Sequence, residues 1–205
     1  MEKGVGYSIL LAILFLLPVC ANATTIDFYN DGTIVDGNYF DQVNIWNDAT
    51  VDMTGGYVAS CDTFDTSVLN YLDGGIQWGV THENSILNVY SGYDTDFQLE
   101  NCSKVFLHNG SLNFQVSFTS GSDNAILHIY GYDLNYTPSV IGSIDGYWES
   151  NQVFNFNIMV RHSADVTPTI ILHEIPEPST FCILGLLALF MRKRGDAFLQ
   201  RTNKL

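Results

Sequence analysis

Positive charge is the first thing this sequence lacks. Across 205 residues there are 8 Lys and Arg against 22 Asp and Glu, a formal net charge of −14. The stretch from Thr24 to Pro178 keeps 20 of the acids and only two bases, Lys104 and Arg161, which makes −18. Such a body repels phosphate backbones and speaks against nucleic acid as a partner. It equally disfavours a lyase for acidic glycans, which needs cations for the substrate carboxylate. Charged residues as a whole make up only 15% and hydrophobic ones 46%, so this is no disordered acidic tail. Long apolar runs are missing too: the best are Ile9 to Leu17 and Phe181 to Met191, both short of the ~20 residues of a helical span. No Pro/Gly/Ser-rich linker interrupts 24–178, which therefore reads as one domain.

Motifs of chemistry are equally sparse. The histidines His82, His108, His128, His162 and His173 lack a His-Glu-x-x-His or comparable zinc spacing. There is no phosphate-cradling glycine loop and no Ser-His-Asp signature. A glycoside hydrolase requires two facing carboxylates, for which Asp62 with Asp65, or Asp94 with Asp96, are the candidates. No cofactor is expected. Calcium is the one cation for which hard oxygen ligands exist, at Asp94-Thr95-Asp96 and the Asn/Asp-Gly turns, without an EF-hand loop or a calcium-binding glycine repeat. Cys61 and Cys102 are able to pair in an oxidising compartment. Their separation of 41 residues is not a multiple of the repeat described next, so they would not stack in one column.

What is present is rhythm. Aromatics at 13% and 17 glycines indicate an all-β chain with many turns. Apolar-x-apolar steps recur at Val51-Asp52-Met53, Leu69-Asn70-Tyr71, Leu87-Asn88-Val89, Val105-Phe106-Leu107 and Leu127-His128-Ile129. Their first residues are 18, 18, 18 and 22 apart, and stepping back 18 reaches Thr33-Ile34-Val35. A glycine follows each step, at Gly55-Gly56, Gly74-Gly75, Gly92, Gly110 and Gly131. Alternation of period two means strand, and the glycine means that the chain turns after it. A strand in every copy of a fixed repeat is what a stacked solenoid requires. Second strands are expected at Tyr57-Val58, Ile76-Gln77-Trp78, Phe97-Gln98-Leu99 and Leu112-Asn113-Phe114. Strict hexapeptide spacing is absent, since Val51 is followed after six residues by Tyr57 and then Thr63, which favours a right-handed over a left-handed coil. The expected fold is thus an all-β, right-handed parallel β-helix over residues 24–137; a β-sandwich of short antiparallel strands is the alternative.

Beyond Tyr136-Thr137-Pro138 the rhythm changes, and residues 138–175 are expected to cap the solenoid, because open β-stacks aggregate. Ser143 to Trp148 reads as a turn leading into a strand from Val153 to Val160, with Phe154, Phe156, Ile158 and Val160 on one face. Thr169 to His173 reads as a last strand.

The ends are addresses. Lys3, the apolar run from Ile9 to Leu17, and Ala21-Asn22-Ala23 form a charged region, a hydrophobic region and a small-x-small site. Residues 1–23 therefore read as a signal peptide, with Ala21 and Ala23 placed for signal peptidase. At the other end come Ile175-Pro176-Glu177-Pro178, then Phe181 to Met191, then Arg192-Lys193-Arg194. Proline breaks preceding structure, and the basic triplet is a stop that stays cytoplasmic.

This tripartite order over 176–194 resembles the PEP-CTERM sorting signal of Gram-negative, exopolysaccharide-producing bacteria, also labelled an ice-binding-protein C-terminal domain. The resemblance covers about the last tenth of the chain. It implies a substrate of an exosortase-type transpeptidase, carrying its signal in Pro176, Glu177, Pro178, Arg192, Lys193 and Arg194 and holding the membrane by a short C-terminal transmembrane helix. Two departures are its 11-residue apolar block and the tail from Gly195 to Leu205. The resulting expectation is an exported, membrane-anchored or surface-displayed structural or adhesive protein that is not an enzyme, with extracellular polysaccharide as a candidate partner. The alternatives are a carbohydrate-active hydrolase, or a calcium- or ice-binding surface protein, the last requiring regular Thr rows.

Overall fold

The computed structural model describes residues 24–93, 96–110, 115–119, 121–122, 124–160 and 169–177. Among them there are only strands: β1 (Thr25–Phe28), β2 (Gly32–Ile34), β3 (Tyr39–Ile45), β4 (Thr50–Thr63), β5 (Val68–Thr81), β6 (Ile86–Val89), β7 (Asp96–Leu99), β8 (Lys104–Leu107), β9 (Gln115–Phe118), β10 (Ile126–Thr137), β11 (Ile141–Tyr147), β12 (Val153–Val160) and β13 (Thr169–Glu174). Apart from the antiparallel pairs β10–β11 and β11–β12, they stack in parallel as a β-solenoid, which excludes the antiparallel sandwich.

Two columns run the length of the stack. In the first, β2, β4, β5, β6, β8, β10 and β13 pair in parallel, with Val51 on Leu69, Leu69 on Leu87, Leu87 on Val105 and Val105 on Leu127. The five steps read from sequence are therefore register partners. The copy expected at Thr33-Ile34-Val35 is displaced by one residue: Gly32 pairs with Val51 and Ile34 with Met53. A one-residue slip exchanges the faces of a strand, so Ile34 is fully buried and Val35 is 46% exposed.

In the second column β1, β3, the later half of β4, the later half of β5, β7, β9 and the end of β12 stack, with Val43 on Cys61, Cys61 on Gly79, Gly79 on Phe97, Phe97 on Val116 and Val116 on Ile158. Tyr57-Val58, Ile76 to Trp78 and Phe97 to Leu99 lie in these strands, while Leu112 to Phe114 fall outside the described residues. The inward side chains of both columns, among them Met53, Leu69, Leu87, Leu99, Leu107 and Ile129, meet in one buried core. Each fully buried aliphatic contributes about 1.5–3 kcal/mol.

The glycines expected to turn the chain do so in four of the five places. Gly56, Gly74, Gly92 and Gly110 have positive φ. A Cβ on Gly74 would lie 2.7 Å from the carbonyl oxygen of Gly56 one rung below, so this corner admits glycine alone. Gly56 and Gly74 bend β4 and β5 from the first column into the second, whereas Gly131 is the exception: it is not in the left-handed conformation and pairs with Glu174 of β13 within β10.

The later half of β10 leaves the stack and pairs antiparallel with β11, which pairs antiparallel with β12, whose end rejoins the second column on β9. Residues 138–175 thus hold both an antiparallel hairpin and the last rung. Ser143 to Tyr147, expected as a turn, is strand. Its glycines serve spacing: Leu134 Cδ2 would be 2.8 Å from a Cβ on Gly146, and the Tyr136 ring 3.2 Å from one on Gly142. Phe154, Phe156 and Ile158 are buried, as their alternation required. Trp148 is also fully buried; it stacks on Phe154 at 3.9 Å and donates Nε1–H to the Gly110 carbonyl at 2.8 Å.

Candidate functional site

An outward side chain on a solenoid meets its equivalents one rung above and below, and most polar side chains here are used that way. On the first column Asn70 donates to Asp52 and Asn88 to Asn70, both at 2.8 Å. At the corner after the second column, Asn47, Asp65, Glu83 and Asn101 all adopt the left-handed conformation, with φ of 61°, 57°, 53° and 54°. The Asp65 carboxylate accepts the Asn47 backbone N–H at 2.9 Å, and the Glu83 carboxylate that of Asp65 at 2.8 Å. Inside this corner Ser67, Ser85, Ser103 and Ser122 are buried. Thr63 bonds Ser85 at 2.9 Å and Thr81 bonds Ser103 at 3.0 Å. These Thr side chains face the interior and form no outer row.

Rings are stacked by the same logic. Trp46 lies on Phe64 at 3.9 Å and Phe64 on His82 at 4.5 Å, their planes nearly parallel. Because their faces cover each other, this ladder presents edges rather than a platform. It ends at Glu100, whose Oε2 is 2.9 Å from His82 Nδ1 and whose Oε1 accepts from Gln98 at 2.7 Å.

Asp62 is close to this group. It is half-buried on the outward face of β4, and its Oδ1 is buried with no hydrogen-bond partner. Burial pushes its carboxyl up and Glu100 adds to this, against the pull of His82 and a hydrogen bond from Gln42. Asp62, His82 and Glu100 thus form a cluster of two carboxyl groups and an imidazole. Of the hydrolase pairs expected from sequence, Asp65 is committed to the Asn47 backbone, Asp96 accepts the Gln115 N–H at 3.2 Å, and Asp94 lies outside the described residues. Glu100, the second carboxyl group of this cluster, was missed. The signal for it was present in the 18-residue step from His82.

Among the described residues no group of three or more His, Cys, Asp or Glu could hold a metal ion. Cys61 and Cys102 are both free thiols, one buried in the core and one exposed on a turn. Burial, with the charge of Asp62 second, pushes the Cys61 thiol far above the usual range.

The start of the C-terminal motif is described. Ile175 donates its N–H to the Gly131 carbonyl at 2.8 Å, directly after β13, and Pro176 and Glu177 are exposed beyond it. Glu177 lies close enough to Tyr132 to help push that phenol up, after desolvation and Tyr147. Pro178, Arg192, Lys193 and Arg194, the apolar block, and the signal-peptide residues Ala21 and Ala23 fall outside the described residues. Among those described, no helix is long and apolar enough to cross a membrane.

No protein family, no curated protein and no solved structure matches this chain.

Proposed function

We propose that this is an exported, surface-sorted, non-catalytic display rod: a structural or adhesive component of the cell envelope or exopolysaccharide matrix of a Gram-negative bacterium. In this reading signal peptidase cuts after Ala23, and an exosortase-type transpeptidase processes the segment from Pro176 to Arg194. The coil is right-handed, in keeping with the strong preference of parallel crossovers, and the hairpin of β11 and β12 caps it. The observation that carries the reading is the placement of Pro176 and Glu177. They emerge exposed one residue after the last strand, where an enzyme can reach them without unfolding the body. The outward Asn and Asp ladders support the rod: side chains that bond to the next rung stiffen a stack and leave few groups free to converge on a substrate.

Cell fractionation tests this. The full chain should stay with the envelope, and a chain ending at Ile175 should appear in the periplasm or medium. Envelope retention of the truncated chain would remove the sorting assignment.

A second reading, a carbohydrate-active hydrolase, is favoured by one observation. Burial pushes the Asp62 carboxyl up, and a second carboxyl group, that of Glu100, lies in the same cluster 2.9 Å from His82 Nδ1; a hydrolase needs two carboxyl groups in different surroundings. Sugar release from extracted matrix by the wild type, lost in Glu100→Gln, would support it.

A further inference from the structure

Three of the five histidines gather where β8, β10 and β13 meet. The His128 ring, on the outward face of β10, stacks on Phe106 of β8 at 4.4 Å. Its Nδ1 lies 2.9 Å from Nε2 of His173 on β13. Beside this pair, Tyr130 is sandwiched between His108 at 4.3 Å and His173 at 4.2 Å. Among the described residues β13 pairs with β10 and with no other strand. Its inward Ile170 and Leu172 are only partly buried, whereas Leu127 and Ile129 of β10 are fully so. Besides its six-residue register with β10 and the partial burial of Ile170 and Leu172, this strand is fastened by the side-chain contacts of His173.

A hydrogen bond between two imidazole nitrogens needs one proton between them. With both rings neutral, one nitrogen donates and the other accepts. A first extra proton goes to an outer nitrogen and leaves that bond in place, now charge-assisted. A second occupies the accepting nitrogen, so two donors and two positive charges face each other. We propose that the His128–His173 pair is a proton-operated latch on β13, closed while one imidazole of the pair is neutral and open when both are charged.

The surroundings tilt the pair toward opening in acid. Burial disfavours the His128 cation most, His173 adds to this, and Lys104 on β8 adds least. Burial and His173 also push His108 down, and only Glu149 opposes this. Glu174, the acid on β13 itself, is occupied by the Leu134 N–H at 3.0 Å. Groups held below their unfolded values leave the folded state with fewer protons than the unfolded one, so stability falls as pH drops through the ordinary histidine value of about 6.5. Opening carries away the Ile175–Gly131 bond, and with it the segment that leads to Pro176 and Glu177.

Hydrogen exchange on the full chain at about pH 7.5 and about pH 5 tests the latch, read as protection after correction for intrinsic rates. Protection of residues 169–174 should fall at least about tenfold in acid while β4 and β5 keep theirs, and His173→Gln, which cannot become a cation, should flatten the dependence. Where His173→Gln does not fold, His128→Gln carries the same expectation. Equal β13 protection at both pH values in the wild type, or an unchanged acid loss in the variant, would overturn the proposal.

Discussion

Phe97 fills the space that Gly79 leaves empty. The two are register partners on adjacent rungs, and a Cβ on Gly79 would stand 2.7 Å from Phe97 Cδ1. The glycine is there for its missing side chain. Gly79→Ala should therefore destabilise the rod by about 1–3 kcal/mol through overpacking. Thermal melts would show this as a lower midpoint, and Phe97→Leu in the same chain should restore part of the loss. Additive effects of the two changes would mean that the contact is not where the strain lies.

Trp148 fastens the hairpin to the solenoid interior at one point, the Gly110 carbonyl. Both groups are buried. Trp148→Phe keeps the stacked ring but orphans that carbonyl, at a cost of about 1–3 kcal/mol. The loss should be local: exchange in 141–158 should rise before exchange in β4 and β5 does. A uniform rise would mean that hairpin and rod unfold as one unit.

The first column was legible because its inward positions are apolar in every rung, Val51 through Leu127. The second was legible only in part: three of its strands were expected at Tyr57-Val58, Ile76 to Trp78 and Phe97 to Leu99, but not its register, which is as regular. Its inward positions pass through Cys61, Thr63, Gly79 and Thr81, where a neighbouring ring or a Thr–Ser bond supplies what an aliphatic side chain supplies elsewhere. Pattern reading counts side chains and cannot see a vacancy filled from the next rung. The left-handed corner was hidden because Asn47, Asp65, Glu83 and Asn101 share a conformation and not an identity. Gly131 misled for the opposite reason: it resembles the turn glycines in sequence, yet its role is to let Leu134 and Tyr147 come close. His128 and His173 could not be joined from sequence, since a whole hairpin lies between them.

Many acids in this chain read as surface charge and are hydrogen-bond acceptors for backbone. Asp65 is one, its carboxylate on the Asn47 N–H of the rung below. Asp65→Asn keeps a residue that tolerates φ near 57° and weakens only the acceptor. The expected cost is about 0.5–1.5 kcal/mol, less in high salt because the site is exposed. Asp65→Ala should cost about 1 kcal/mol more, from the left-handed backbone. Chemical denaturation of both variants separates the two contributions, and equal losses would deny the conformational one.

The carboxyl of Asp62 gives the test with the clearest sign. Burial holds its folded-state pKa above the unfolded value, in spite of His82 and Gln42. A carboxyl raised in this way costs stability while it is ionised. The penalty is present at neutral pH, shrinks as pH falls through the raised value, and is gone below the unfolded value of about 3.9. Asp62→Asn removes the charge and keeps the shape, and its amide can still meet Gln42. Its melting midpoint should exceed that of the wild type at pH 7, by on the order of 2 °C for a chain of this size. The gap should close as the buffer is taken toward about pH 3.5, where the wild-type carboxyl is itself neutral. A lower midpoint for Asp62→Asn at pH 7 would mean that the ionised form is stabilised by something other than His82 and Gln42.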